Sequence, residues 1–380
     1  MQKLRKLVWI SLLLMVVLVF TGCGQQGETS KQDEETIKIG TVGPLSGDTA
    51  TYGVSTKNGV EIAIEEINNS GGINGKKITL IPQDSKGDQA EAANATQKLI
   101  SQDNVSAIIG AVLSSETLAA APIANDAGIP MISSSATAPG VPDVGPFIFR
   151  NCIADQVQAA QLAEYAVKEL NLDKFAVLYT KNDYGEALKD TFVETLKSLD
   201  KEPLVVESYV DGDNDFSAQI TKIAAQKPQA IYVGGYYTEA AKIAQQAKQK
   251  GLEVIFLGGD GFYSPKLLEL GGDAVEGVIF TAGFYDKDPD ENVQKFVAAY
   301  KAKFNEDPDM FAAQAYDAAM ILIEAIKKAG TTDPAAIQAE LAKTKDFPGI
   351  TGKTSFTENG DAVKDILILK VENGAFKRIR

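Results

Sequence analysis

Two serine-rich stretches hold the hydroxyl groups most able to do chemistry in this chain, Leu113-Ser114-Ser115 and Ser133 to Thr137, each set just behind a short apolar run. A serine nucleophile needs a base, and the 380 residues contain no histidine, the commonest general base and a common metal ligand. No base with a matching motif accompanies these serines, which leaves lysine-assisted chemistry as the one catalytic option. The two cysteines, Cys23 and Cys152, cannot make a zinc site. The hydroxyls therefore read as hydrogen-bonding groups of a binder rather than an enzyme, with neither cofactor nor metal expected.

The elements that must carry them follow from periodicity. Ala107 to Gly110 is a short apolar run ending in glycine, Glu116 to Asp126 has Leu118, Ala119 and Ile123 at helical spacing, and Met131 to Ser133 begins a second buried run. Strand, loop, helix and strand in this order place both serine loops beyond the carboxyl ends of parallel strands, where open sheets bind ligands. Shifting the register by 123 positions lays Ala230 to Asp260 over Ala107 to Thr137, matching Glu116 with Glu239 and Gly128 with Gly251. Tyr52-Gly53 and Tyr184-Gly185 form a second matching pair. Two similar α/β lobes with a cleft between them are expected, the second offering Tyr236, Tyr237 and Asp260 across from the serines. Chance similarity of any two βαβ units is the alternative.

At the start, Lys3, Arg5 and Lys6 precede an apolar run from Leu7 to Phe20, too short to span a bilayer, which ends in Thr21-Gly22-Cys23. The pattern resembles a bacterial lipoprotein signal over 1–22, with Cys23 carrying the lipid. A plain secretory signal is the alternative. Residues 23–36 lack apolar periodicity and read as a flexible tether. Cys152 then has no partner in the mature chain, so stability outside the cell rests on packing, and Cys152 itself reads as a small buried apolar residue. A net charge of −14 and a pI near 4.7 exclude nucleic acid as a partner.

From Ile37 onward strands and helices alternate, the signature of doubly wound parallel sheets. The loop Gly43 to Tyr52 is glycine-rich, but its glycine spacing is not that of a dinucleotide fingerprint. Val54 to Ile67 reads as a helix with Val60, Ala63, Ile64 and Ile67 inward. A second series starts after Ile153 with a helix over Gln158 to Leu170, and residues 286 to 345 are mostly helical. The chain ends in two strands about a tight Asn373-Gly374 turn.

The signal sequence together with IKIGTVGPLSGDTATYG, MISSSAT, YTKNDYGEAL, VGGYYTEA and GGDAVEGV resembles the leucine/isoleucine/valine-binding proteins of ABC transporters, from about Ile37 to the C-terminus. The resemblance implies a two-lobed α/β clamshell of the periplasmic-binding-protein type, with a first lobe of 37–152 plus 284–353 and a second of 153–283 plus 354–380. Crossings are expected near Asn151 to Asp155, Gly283 to Tyr285 and Lys353 to Phe356. It also implies that Ser114, Ser135, Ala136 and Thr137 clamp the α-carboxylate and α-ammonium of an amino acid, and that Tyr184, Tyr236 and Asp260 close from the second lobe. Tyr52 and Phe311 take the aromatic positions that select the side chain. Helix capping for Ser135 and Asp260, sheet-edge packing for Tyr184 and Tyr236, and core packing for Phe311 are the competing roles. The protein so implied is a monomer, anchored by lipid outside the bacterial cell membrane, that passes a small amino acid to a membrane permease. Another small ligand, such as a polar or aromatic amino acid, an amide or urea, or a sensory role, is the alternative.

Overall fold

The structure is a computed structural model and describes residues 36–380. The expected signal sequence, Cys23 and the tether as far as Glu35 lie outside the described residues. The first series runs β1 (Ile37–Gly43), α1 (Ala50–Asn69), β2 (Ile78–Asp84), α2 (Gln89–Lys98), β3 (Ala107–Ile109), α3 (Ser114–Asp126), β4 (Met131–Ser133) and β5 (Ile148–Arg150). Its strands form a parallel sheet in the order β2-β1-β3-β4-β5, so the order reverses between β1 and β3. That reversal opens a crevice at the carboxyl ends of the strands, because the loops after β1 and β3 leave toward opposite faces.

The second series runs α4 (Asp155–Lys168), β6 (Phe175–Thr180), α5 (Asp183–Ser198), β7 (Val205–Tyr209), α6 (Ser217–Gln226), β8 (Ala230–Gly234), α7 (Tyr237–Gln249), β9 (Ile255–Gly258), α8 (Pro265–Gly271) and β10 (Ile279–Ala282). Its parallel strands repeat the same order, β7-β6-β8-β9-β10, with an antiparallel hairpin added beyond β10. The internal repeat is therefore structural: α3 and α7 have the same length, and each of their ends is displaced by 123 positions. Gly53 and Gly185 occupy equivalent helix starts for one physical reason. A Cβ on Gly53 would lie 2.0 Å from the Pro44 carbonyl oxygen, and one on Gly185 would lie 2.2 Å from that of Thr180. Only glycine lets these helices begin so close to the strand end.

The chain then returns to the first lobe with α9 (Glu291–Phe304), α10 (Met310–Ala329) and α11 (Pro334–Leu341). Helix α10 packs along α1, burying Ala315, Ala318 and Leu322 in one cluster with Val60, Ala63 and Ile64. Each large aliphatic side chain so buried contributes about 1.5–3 kcal/mol. Ser55 donates to Asp309 Oδ2 at 2.7 Å, tying the starts of the two helices together.

Three short strands follow, β11 (Phe347–Gly349), β12 (Gly352–Phe356) and β13 (Ala362–Val363), forming a small antiparallel sheet of their own. The expected third crossing at Lys353 to Phe356 is thus strand β12, and it faces the first lobe: Phe356 packs on Phe149 with ring centroids 5.1 Å apart. Asp361 binds the Arg150 guanidinium through both oxygens, at 2.6 and 2.8 Å. The crossing comes at 364–366, before β14 (Leu367–Glu372) and β15 (Ala375–Arg378) complete the second sheet. Their turn has Asn373 and Gly374 both at positive φ, as its sequence predicts. The β11–β13 strands are too short and polar to show a strand period, which is why the sequence places the boundary ten residues early. At the crossings, buried Asn151 donates to the Gln314 carbonyl at 2.9 Å and accepts from Thr354 and Lys364 at 3.0 and 3.1 Å.

Candidate functional site

A cavity lies where the carboxyl ends of the two sheets meet, leaving about 250 Å³ of space free of protein, its mouth included. Seven of the nine residues singled out in the sequence line it: Tyr52, Ser114, Ser135, Tyr184, Tyr236, Asp260 and Phe311. They arrive from both sides of the two switch points. Tyr52 stands in α1 after β1, Ser114 opens α3 after β3, and Ser135 follows β4; Tyr184 lies at the start of α5 after β6, Tyr236 precedes α7 after β8, and Asp260 follows β9. A larger open groove between α1, α9 and α10 is lined by Ile62, Phe296 and Tyr316 and holds none of the nine.

Ser114 and Ser115 are the first residues of α3 rather than part of a loop. Glu116 explains the early start: its carboxylate accepts from the Leu113 backbone N–H at 3.2 Å, closing the first turn, and from the Ser85 hydroxyl at 2.6 Å. The buried face of α3 is Thr117, Ala120, Ala121 and Ala124, with Leu118 and Ile123 only half-buried, so the helix sits close to its neighbours on small side chains. Ser114 Oγ accepts from Ala138 N–H at 3.2 Å, which leaves its own proton to donate.

The serine-rich loop after β4 divides its work. Ser135 donates to the Val112 carbonyl at 2.8 Å, so its hydroxyl braces β3 against β4 and only its backbone remains for a ligand. Ala136 is engaged on both backbone groups, its N–H by Ser133 Oγ at 3.0 Å and its carbonyl beside Arg150 and Cys152, and it does not line the cavity. Thr137 does not line it either, but its buried hydroxyl has no hydrogen-bond partner. Arg150 donates to the carbonyls of Thr137 and Ala138 at 2.9 and 2.8 Å and so fixes the loop from behind. Cys152 is fully buried, and burial pushes its thiol well up, as suits an inert apolar residue.

The second lobe contributes the acid and the aromatic wall. Tyr184 donates to Asp260 Oδ1 at 2.8 Å and accepts from Gly261 N–H at 2.8 Å, while its ring stacks on Tyr236 at 5.1 Å. Burial pushes the Asp260 carboxyl up to about 6, against the hydrogen bonds from Tyr184 and Gln158 that pull it down. No lysine or arginine lines the cavity.

Asp155, which the sequence reading passed over, belongs beside this acid. It is fully buried at the first turn of α4, burial and the nearby Asp260 raise its pKa well above the usual range, and neither carboxylate oxygen has a hydrogen-bond partner. Thr137 lies near enough to lower that pKa, though not in hydrogen-bonding geometry. An acid in a first turn ordinarily complements the helix dipole at the surface, so its type and position carried no functional signal. Two buried carboxylates near one another are costly, and the Arg150 guanidinium, near enough to pull the Asp155 pKa down, leaves it well above the usual range, so a further cation would stabilise the pair. Among the described residues no cluster could hold a metal ion.

Tyr52 and Phe311 pack together with ring centroids 4.2 Å apart. The Tyr52 hydroxyl donates to the Gly261 carbonyl and accepts from Tyr237 N–H at 3.3 Å, so this first-lobe tyrosine also reaches the second lobe.

Comparison with known proteins agrees with this architecture. Residues 36–375 match the family described as periplasmic binding protein. The chain is 34% identical to the leucine-, isoleucine-, valine-, threonine- and alanine-binding protein of Pseudomonas aeruginosa, with 86% of this chain and 87% of that protein aligned. Among solved structures it is similar to a leucine-binding protein of Thermotoga maritima, at a TM-score of 0.87 and 36% identity over 91% of this chain and 98% of the other. It is similar as well to the branched-chain amino acid transporter substrate-binding protein LivJ of Streptococcus pneumoniae, solved with isoleucine, at a TM-score of 0.85 and 37% identity over 91% and 99% of the two chains. The chain belongs to the Leu/Ile/Val-binding family of periplasmic binding proteins, the non-catalytic substrate-binding components of branched-chain amino acid ABC importers.

Proposed function

We propose that the chain captures leucine, isoleucine or valine between its lobes and delivers it to a membrane permease, working as a monomer held through lipidated Cys23 at the outer face of the bacterial cell membrane. The observation that carries this reading is the polarity of the cavity: neutral donors on the first lobe face the buried Asp260 carboxylate of the second, with no lysine or arginine in the lining and the buried Asp155 carboxylate near Asp260. A zwitterionic amino acid supplies both missing charges. Its carboxylate takes the Ser114 hydroxyl, the Thr137 hydroxyl and the amino end of α3, where unpaired N–H groups and the helix dipole favour an anion. Its ammonium takes Asp260 and Asp155, and the ligand-facing backbone of Ser135 completes that end. The Tyr52, Phe311 and Tyr236 rings and Leu113 leave an apolar recess for the side chain, which excludes a charged one.

Closure follows from where these groups sit. An amino acid held by first-lobe hydroxyls gains Asp260, Tyr184 and Tyr236 only when the lobes meet, and that differential contact shifts the open–closed equilibrium. The closed form is what a permease would recognise. The test is a thermal-shift screen of the purified chain against the amino acids, short amides, urea and aromatic acids, since a ligand of the native state raises the melting temperature. Shifts confined to leucine, isoleucine and valine support the reading. Shifts only with compounds lacking an α-ammonium would remove Asp260 and Asp155 from it.

A further inference from the structure

Each wall of the cavity is flanked by a residue that does not face the ligand space but crosses to the other lobe. Next to Ser114, Ser115 donates to Asp183 Oδ2 at 2.5 Å, and Asp183 is itself the neighbour of Tyr184. Next to Tyr236, the Tyr237 hydroxyl donates to the Asp48 carbonyl at 3.0 Å and stands 3.1 Å from Thr51 Oγ1, which precedes Tyr52. The physical origin is the helix start. Successive residues at the amino end of an α-helix point about 100° apart, so when one side chain is aimed into the cleft the next is aimed along its rim. Tyr237 is 4 % exposed and its ring packs edge-on against Tyr52 at 5.2 Å, so both of its polar contacts lie within the lobe interface.

We infer that Tyr237 and Ser115 are affinity-setting residues: with Asp48, Thr51 and Asp183 they form a ligand-independent latch that holds the closed lobes together. The inference rests on the closing-lobe reading above. Because the latch bonds exist only in the closed form, they lengthen the residence of the ligand without touching it, and they add to affinity by the amount they stabilise closure. A single hydrogen bond of this kind changes an equilibrium about two- to tenfold.

The experiment compares the full-length chain with its Tyr237→Phe and Ser115→Ala variants, using leucine or whichever compound gives the largest shift in the screen. Each variant is expected to bind about two- to tenfold more weakly, mainly through faster release, with association and the ligand-free melting temperature unchanged. Affinities within error of the parent for both variants would overturn the latch. A parent chain that binds nothing in the screen would strike the proposed function instead. The latch is then read without ligand, by single-molecule energy transfer between dyes on the two lobes: shorter closed dwells in Tyr237→Phe support it, and equal dwells overturn it.

Discussion

The two lobes are built from one plan and differ where it matters. Under the 123-residue shift Leu113 corresponds to Tyr236 and Thr137 to Asp260, while Tyr52 and Tyr184 stand at equivalent helix starts after β1 and β6. The first lobe thus has the Thr137 hydroxyl where the second brings the Asp260 carboxylate and the aliphatic Leu113 where the second brings the Tyr236 ring, while Tyr52 and Phe311 of the first lobe and Tyr184 of the second add aromatic rings on both sides. Equivalent backbone, unlike side chains: the result is a cavity with one neutral donor end and one acidic end. The polarity of the cleft thus resides in a few side chains at strand ends. Glu116 and Glu239 show what was kept. Both are buried at the third position of their helices, and each reaches the loop after the neighbouring edge strand, Glu116 by Ser85 at 2.6 Å and Glu239 by the Gly212 N–H at 3.2 Å.

Erasing the acidic end breaks the comparison most severely. Asp260→Ala should weaken leucine binding about 100-fold by titration calorimetry, the scale of a lost charge-assisted hydrogen bond plus the partner left unpaired. Folding should be intact, because the carboxylate removed is one whose burial is unfavourable. Unchanged affinity would exclude Asp260 from the site. Blunting the donor end is milder: Ser114→Ala should cost about tenfold in affinity, one hydroxyl to a carboxylate, and the same loss for Ser135→Ala would contradict the bracing role its bond to Val112 assigns.

The kept pair can be sharpened by pH. Burial holds the Glu116 carboxyl up at about 7, above its ordinary 4.5, so the protonated form is the one the fold favours. The sign follows: its contribution to stability is present in full below about 4.5 and is lost as pH rises through about 7. Glu116→Gln keeps an acceptor for Leu113 N–H and a partner for Ser85 while removing that titration. The variant should lose less stability than the parent between pH 5 and 8, by about 2 kcal/mol; denaturant melts at the two pH values check this, and identical pH slopes would refute it. Asp309, also raised to about 7 by burial, is present in both chains and cancels in the difference. The smallest expected effect lies at the apolar end, where Phe311→Leu should shift preference toward larger side chains over leucine about threefold, measured by competition binding.

Much of this was legible before any coordinates. The serine stretches, Tyr52, Tyr184, Tyr236 and Asp260 stand at strand ends, and strand ends are visible because buried strands read as short apolar runs closed by glycine or small polar residues. Other features were not. Asp155 and Glu116 are acids in first turns of helices, where an acid is ordinarily a solvent-facing cap, and the sequence reads Glu116 as a residue at the rim of the pocket rather than as the buried brace it is. Burial separates them from such caps, and burial depends on what another segment places on top. Ala136 shows the converse: it sits in the motif, yet Ser133 and Arg150 claim its backbone. The β11–β13 strands stayed hidden because they pair only with one another and are too short to show a strand period; what fixes them on the first lobe is Arg150 and Phe149 of β5, distant in sequence.

By itself the sequence determined the alternation of strands and helices, the internal repeat and the absence of histidine chemistry, because each of these is carried by local residue type and spacing, while its resemblance to a known family pointed to pocket residues such as Ser114, Tyr52 and Phe311. The tertiary structure alone decided which hydroxyls are spent on bracing and which stay free, that Asp155 is buried without a hydrogen-bond partner near the cavity-lining Asp260, and which rim residues grip the opposite lobe. The reason is physical. Hydrogen-bond satisfaction and desolvation depend on neighbours brought together across the fold, Ser115 with Asp183 and Tyr237 with Asp48, and no local pattern encodes a contact between two lobes.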